Sequence, residues 1–206
     1  TGAELWIPLY PLLPDYDLMD ETEFTIRLHE KMLKRFPAEN IVWLGISGGA
    51  DVLMQAGRHM VKKYPELPMP GLMLPVSVSG LLMSEDAKTR MRGIDSRNPI
   101  LHWDMFETMV KYYNPNGDLP QYILGKADED DYTGFPKIIM YFGGDEVFAG
   151  IAPDYEKSFI RCGVKDYEIK IKEGMPHAYP VFTFLKEGRE GEREIIADIN
   201  RYFESR

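Results

Sequence analysis

Ser47 stands in Gly45-Ile46-Ser47-Gly48-Gly49, a Gly-x-Ser-x-Gly pattern placed between an apolar run and a helical stretch. A serine on a strand-to-helix turn is forced into a strained backbone, and flanking glycines relieve clashes that side chains would cause. Its hydroxyl then stands out at the strand end, beside a helix N-terminus that favours developing negative charge. The chemistry expected of such a serine is nucleophilic attack. A hydroxyl is a weak nucleophile and needs a base, usually a histidine held by a carboxylate. Of the four histidines, His29 and His59 fall within helices, where they are expected on the surface or satisfied at the helix edges, and His102 opens a helix as a structural or substrate-facing residue. His177 alone lies in a loop after a strand, in Glu173-Gly174-Met175-Pro176-His177-Ala178-Tyr179, where a mobile general base belongs. The orienting acid is expected from Gly143-Gly144-Asp145-Glu146-Val147-Phe148, in which Asp145 and Glu146 are both candidates and spacing does not choose.

The elements that must position these residues follow from hydrophobic pattern. Glu4-Leu5-Trp6-Ile7-Pro8-Leu9-Tyr10 reads as a short strand. Asp20, with Glu23 three residues on, predicts a capped helix whose Phe24, Leu28, Met32 and Phe36 share a face. The run at 41–46 suits a strand buried on both faces of a parallel sheet. A helix is expected over about 49–64, with Val52, Leu53, Ala56 and Met60 on one side, then a buried strand over 71–78. Residues 79–136 are mixed and turn-rich, with one helix near 103–113. Alternation resumes with a strand at 137–142, a helix at 153–161 stopped by Gly163, a strand nearer the edge at 166–172, and an amphipathic helix at 193–203. Strand–helix alternation predicts an α/β fold with a mostly parallel sheet flanked by helices, in one domain. Function in such sheets sits beyond the carboxyl ends of the strands, here the loops after Ile46, Val78, Phe142 and Lys172.

Composition removes other classes. The 206 residues carry 24 basic and 33 acidic side chains, a net charge of −9, which argues against nucleic acid and anionic membrane surfaces as main partners. The single cysteine, Cys162, forms no internal disulfide. The longest apolar run, near 71–83, is too short and interrupted to span a membrane, and a cytoplasmic location is expected. No dinucleotide or nucleotide triphosphate motif is present, and the histidines and cysteine are too scattered for a zinc cluster, so neither metal nor cofactor is expected. The acidic stretch at 127–134 fails the calcium-loop pattern, with Tyr132 and Thr133 where a ligand and glycine are needed, and reads as a solvated loop. Met83 and Met105 are candidates for an acyl pocket, although methionines are more often core filler.

Ile7-Pro8-Leu9-Tyr10-Pro11-Leu12 with Pro14, the segment 45–49, and Gly174-Met175-Pro176-His177 together resemble the hormone-sensitive-lipase-like esterase branch of the α/β-hydrolases. The order nucleophile, acid, histidine is also that of this fold. The resemblance implies Ser47 as nucleophile, His177 as general base and Glu146, ahead of Asp145, as the acid. It implies a carboxylic-ester hydrolase acting on small or short-acyl esters through an acyl-enzyme, with Gly48 N–H as one oxyanion donor and 79–136 as a cap-like or pocket-forming insertion. A homodimer through 166–172 and 193–203 is a further implication. Two departures stand at the turn: Ile46 where Asp is common, and Gly48 where Ala is usual. The family's upstream His-Gly-Gly-Gly segment has no match, so the expectation is an N-terminally incomplete domain whose remaining strands precede Thr1. An amidase or peptidase of the same fold, and a noncatalytic binding module, are the alternative readings.

Overall fold

A computed structural model describes residues 2–205; Thr1, and with it the expectation of strands ahead of it, lies outside them, as does Arg206. Among the described residues one parallel sheet holds four strands in the order β1 (Val42–Ile46), β2 (Leu72–Val76), β3 (Lys137–Gly143) and β4 (Tyr167–Lys172). The helices are α1 (Leu18–Leu33), α2 (Gly48–Lys63), α3 (Glu85–Asp95), α4 (Met105–Tyr113), α5 (Gln121–Leu124), α6 (Ala152–Cys162) and α7 (Lys186–Glu204). Alternate residues of each strand face opposite layers. Trp43, Met73, Ile138 and Met140 join the main core with residues of α1, α2 and α6. Leu72, Leu74, Val76, Ile139 and Tyr141 face α7, where Ile195 closes a second core. Pro75 lacks an N–H, and the β2–β3 register correspondingly skips from Met73–Ile138 to Val76–Tyr141.

Several expectations change. Residues 4–10 form no strand, because no neighbouring strand offers them a ladder; Leu5, Ile7 and Leu9 are exposed, and Glu4 is held instead by two hydrogen bonds from Arg35 at 2.8 and 2.9 Å. The first helix is capped three residues earlier than expected. Asp17 Oδ1 accepts from Met19 N and Asp20 N at 2.8 and 2.9 Å, while Asp20 Oδ2 accepts from Asp17 N, so the earlier of two overlapping capping frames wins and buries Leu18. Its buried face carries Leu18, Glu21, Thr22, Ile26 and His29 rather than the Phe24–Leu28–Met32–Phe36 stripe, which is only half-buried. Trp43 and Gly45 of β1 are covered, whereas on its other face only Val42 packs beside Ile199 and Tyr202 of α7, and Leu44 and Ile46 of this edge strand are exposed. α7 begins at Lys186, well before 193, because Gly188 and Gly191 let it press on the chain at 179–182. A Cβ at Gly188 would sit 2.2 Å from Phe182 O.

The acidic loop is solvated only in part: Glu129, Asp131, Thr133 and Gly134 are exposed, but Ala127, Asp130 and Tyr132 are buried. Asp130 is buried against the equally buried Arg58, with Nε–Oδ2 at 3.2 Å, and Arg58 Nε also donates to Tyr122 O at 2.7 Å. Of the two expectations for His29 and His59, the surface one fails, since both are buried, and each is held by a hydrogen bond: His29 Nε2 bonds Pro68 O at 2.7 Å and His59 Nε2 meets Glu23 at 3.0 Å. Among the described residues no helix is long and apolar enough to cross a membrane, and no group of three or more His, Cys, Asp or Glu could hold a metal ion.

Candidate active site

Three loops at the carboxyl ends of β1, β3 and β4 bring Ser47, Glu146 and His177 together. Ser47 follows β1 directly, at φ 54° and ψ −124°, with its N–H donated to Val76 O at 2.9 Å. Gly45 makes the turn possible, because a Cβ there would lie 2.4 Å from Gly49 O. Gly48 and Gly49 have open space at that position, so the second flanking glycine is not needed sterically. Gly48 opens α2, and the first N–H groups of a helix have no acceptor within it.

His177 Nε2 lies 2.8 Å from Ser47 Oγ, and Nδ1 lies 2.6 Å from Glu146 Oε2. An ionised carboxylate only accepts, so Nδ1 carries the ring proton and Nε2 is left to accept from the serine hydroxyl. The ring is also fixed edge-on to Phe148, with centroids 4.8 Å apart. Gly143 permits the acid loop and the histidine loop to touch: a Cβ there would fall 2.2 Å from Met175 O. Burial pushes the Glu146 carboxyl up, opposed by the His177 hydrogen bond, the Ser77 hydroxyl and the Gly143 N–H. Asp145, the other candidate acid, faces Arg97 at 3.3 Å and does not meet His177. His102 is exposed and pairs with Asp95 at 3.3 Å, away from the three.

Ser77 is the residue that sequence reasoning missed. It follows β2, wholly buried at φ 54°, and donates to Glu146 Oε1 at 2.8 Å while accepting from Ala178 N at 2.9 Å. One hydroxyl therefore ties the acid to the residue after the histidine. The loop after β2 was marked by topology, but nothing in Val76-Ser77-Val78-Ser79 distinguishes one serine by pattern. Asp51 was likewise unmarked; it accepts from Ser79 N and Gly80 N at 2.9 and 2.7 Å and anchors the same loop to α2.

A cavity of about 230 Å³ opens at Ser47, with Leu81, Leu101, Met105, Met109 and Tyr113 from the 79–136 region in its wall. Met105 lines it and Met83 does not; Met83 packs against the main core. Two larger clefts, of about 370 and 580 Å³, draw on residues 9–20 and touch none of Ser47, Glu146 or His177, so size alone does not mark the site.

A parallel sheet with serine, acid and histidine on the turns after β1, β3 and β4, in that chain order, defines the chain as an α/β-hydrolase fold. Solved structures agree. The esterase EstE5 superposes with a TM-score of 0.83 at 17% identity, an esterase/lipase from an uncultured bacterium at 0.78 and 17%, and an esterase from the bacterial hormone-sensitive lipase family at 0.81 and 20%. Each match covers 94% of this chain and 64% of the other, so the chain spans 64% of the length of these structures. At such identities the likeness is one of fold. No protein-family model matches the sequence, and no curated protein does.

Proposed function

We propose that this chain carries the reaction centre of a serine carboxylic-ester hydrolase acting on small or short-acyl esters. The observation that supports the reading is the continuous relay Ser47 Oγ–His177–Glu146, at 2.8 and 2.6 Å, on a strand-end turn beside a helix N-terminus. In this reading Ser47 Oγ bonds to the ester carbonyl carbon as its proton passes to His177 Nε2. Glu146 holds the imidazole and stabilises the imidazolium. The Gly48 N–H donates to the oxyanion, and loss of one such donor typically costs about 10² to 10³ in turnover. The carbonyl re-forms, the alcohol leaves with the proton from Nε2, and an acyl-enzyme remains. Water then attacks the acyl carbon, gives a proton to Nε2, and the acid departs as that proton returns to Oγ. The mostly apolar cavity of about 230 Å³ favours small acyl or alkyl groups.

The test is hydrolysis of p-nitrophenyl acetate together with labelling by a fluorophosphonate. Label on the Ser47 peptide, and loss of both signals in Ser47→Ala, are expected. Substituting Ser47 or His177 by Ala lowers kcat by roughly 10⁶, and Glu146→Ala by roughly 10⁴. A stoichiometric ligand with no Ser47-dependent turnover would instead favour a noncatalytic binding module. Faster cleavage of a matched anilide than of the ester would favour the amidase.

A further inference from the structure

The cavity at Ser47 is lined by two carboxylates, Glu21 and Asp51, and by no Lys, Arg or His. Asp51 is satisfied by the loop it anchors, including Ser79 Oγ at 3.1 Å. Glu21 differs. It is 5% exposed, sits on the inward face of the first turn of α1 beside Leu18, and its carboxylate makes no hydrogen bond or ion pair among the described residues. Burial, with Asp17 nearby, pushes its pKa up to about 7. Gln55, 2% exposed, lies on the same wall with an amide oxygen that has no partner. Buried polar groups are almost always hydrogen-bonded, so the unpartnered Gln55 oxygen needs an explanation, and the Glu21 carboxylate stands on the same cavity wall without a protein partner among the described residues.

We propose that the cavity selects esters bearing an ammonium group, which Glu21 receives. An ammonium supplies three donors and a positive charge to a wall whose only ionisable acids and bases besides its tyrosines are two carboxylates. Leu18, Val52, Leu81 and Met105 give the cavity its apolar side and pack the alkyl spacer between ammonium and ester. The turnover part of this proposal rests on the reading of Ser47 as the nucleophile; the binding part does not.

Two isosteric substrates decide it: p-nitrophenyl 6-aminohexanoate and p-nitrophenyl heptanoate, compared on one preparation. Because the ratio of their kcat/KM values is independent of the folded fraction, it stays readable in a destabilised variant. The expected ratio favours the ammonium ester by roughly ten- to a hundred-fold, the range of a charge-assisted hydrogen bond, and falls to unity or below in Glu21→Gln and Glu21→Met. A wild-type preference for heptanoate, or a ratio that Glu21→Gln leaves unchanged, overturns the proposal. If neither ester is turned over, the nucleophile reading fails and calorimetry on Ser47→Ala decides the rest. Hexylamine binding more tightly than hexan-1-ol, in a Glu21-dependent way, supports the ammonium site; equal binding overturns it.

Discussion

Ser47, Ser77 and Ala178 all hold positive φ at 54°, and all three touch the same hydrogen-bonded relay. Non-glycine residues reach that region at a cost of order 1–3 kcal/mol each, which the surrounding ladder and loop contacts must over-determine. Ser77 joins the relay from behind, so Ser77→Ala removes a donor from a buried carboxylate. It should lower stability by about 1.5–3 kcal/mol and reduce kcat while KM changes little. The acidic limb of the pH–rate profile should also move, whereas damage to packing alone would lower activity without moving that limb. Glu21 makes a separate prediction. Its folded pKa of about 7 lies above the ordinary 4.5, so the folded chain binds the proton more tightly than the unfolded chain. Its contribution is therefore most favourable below pH 4.5 and is lost as pH rises through 7, by about 3 kcal/mol at most. Urea unfolding of wild type and Glu21→Gln should show that loss between pH 5 and 8 in wild type and a much flatter trend in the variant.

At the scale of elements, the turn between β1 and α2 carries two glycines with opposite tolerance. Gly45→Ala drives a Cβ into Gly49 O, a backbone atom that moves only with α2. It should cost roughly 1–3 kcal/mol and abolish labelling at Ser47, as overpacking against main chain does. Gly48→Ala meets nothing within 4 Å at the start of a helix, and thermal unfolding should place it within about 1 kcal/mol of wild type, on the stable side. Gly49, the second glycine of the Gly-x-Ser-x-Gly pattern, has the same open space, so only the glycine before the serine is sterically obligatory. The helix α1 shows how local signals compete: two aspartates three residues apart each offer a cap, and the added burial of Leu18 selects the earlier.

Across the whole molecule, the two faces of the sheet are covered unequally, with α1, α2 and α6 on one side and α7 on the other. The 127–134 loop is pulled onto the first of these layers by Arg58, which reaches from α2 to Asp130. Arg58→Met leaves Asp130 buried without its partner and should cost about 3–5 kcal/mol in urea unfolding. The double change Arg58→Met with Asp130→Leu should recover much of that loss, because a matched apolar pair carries no desolvation penalty.

The parallel α/β architecture and the placing of Ser47 and His177 on strand-end turns were legible because each rests on local pattern: apolar runs of strand length, glycines around a serine, a histidine just past a strand. The choice of Glu146 over Asp145 lay beyond residue spacing. Adjacent carboxylates differ by the direction the backbone turns after β3, and that direction comes from the close approach of Gly143 to the Met175–Pro176 backbone. Ser77, Arg58 and Glu21 were equally hidden, since their partners or vacant surroundings lie 69 and 72 residues away for the first two and across a cavity for the third. Strand 4–10 failed for the complementary reason. Strand propensity is local, but a strand exists only when a neighbour supplies the other half of its hydrogen bonds.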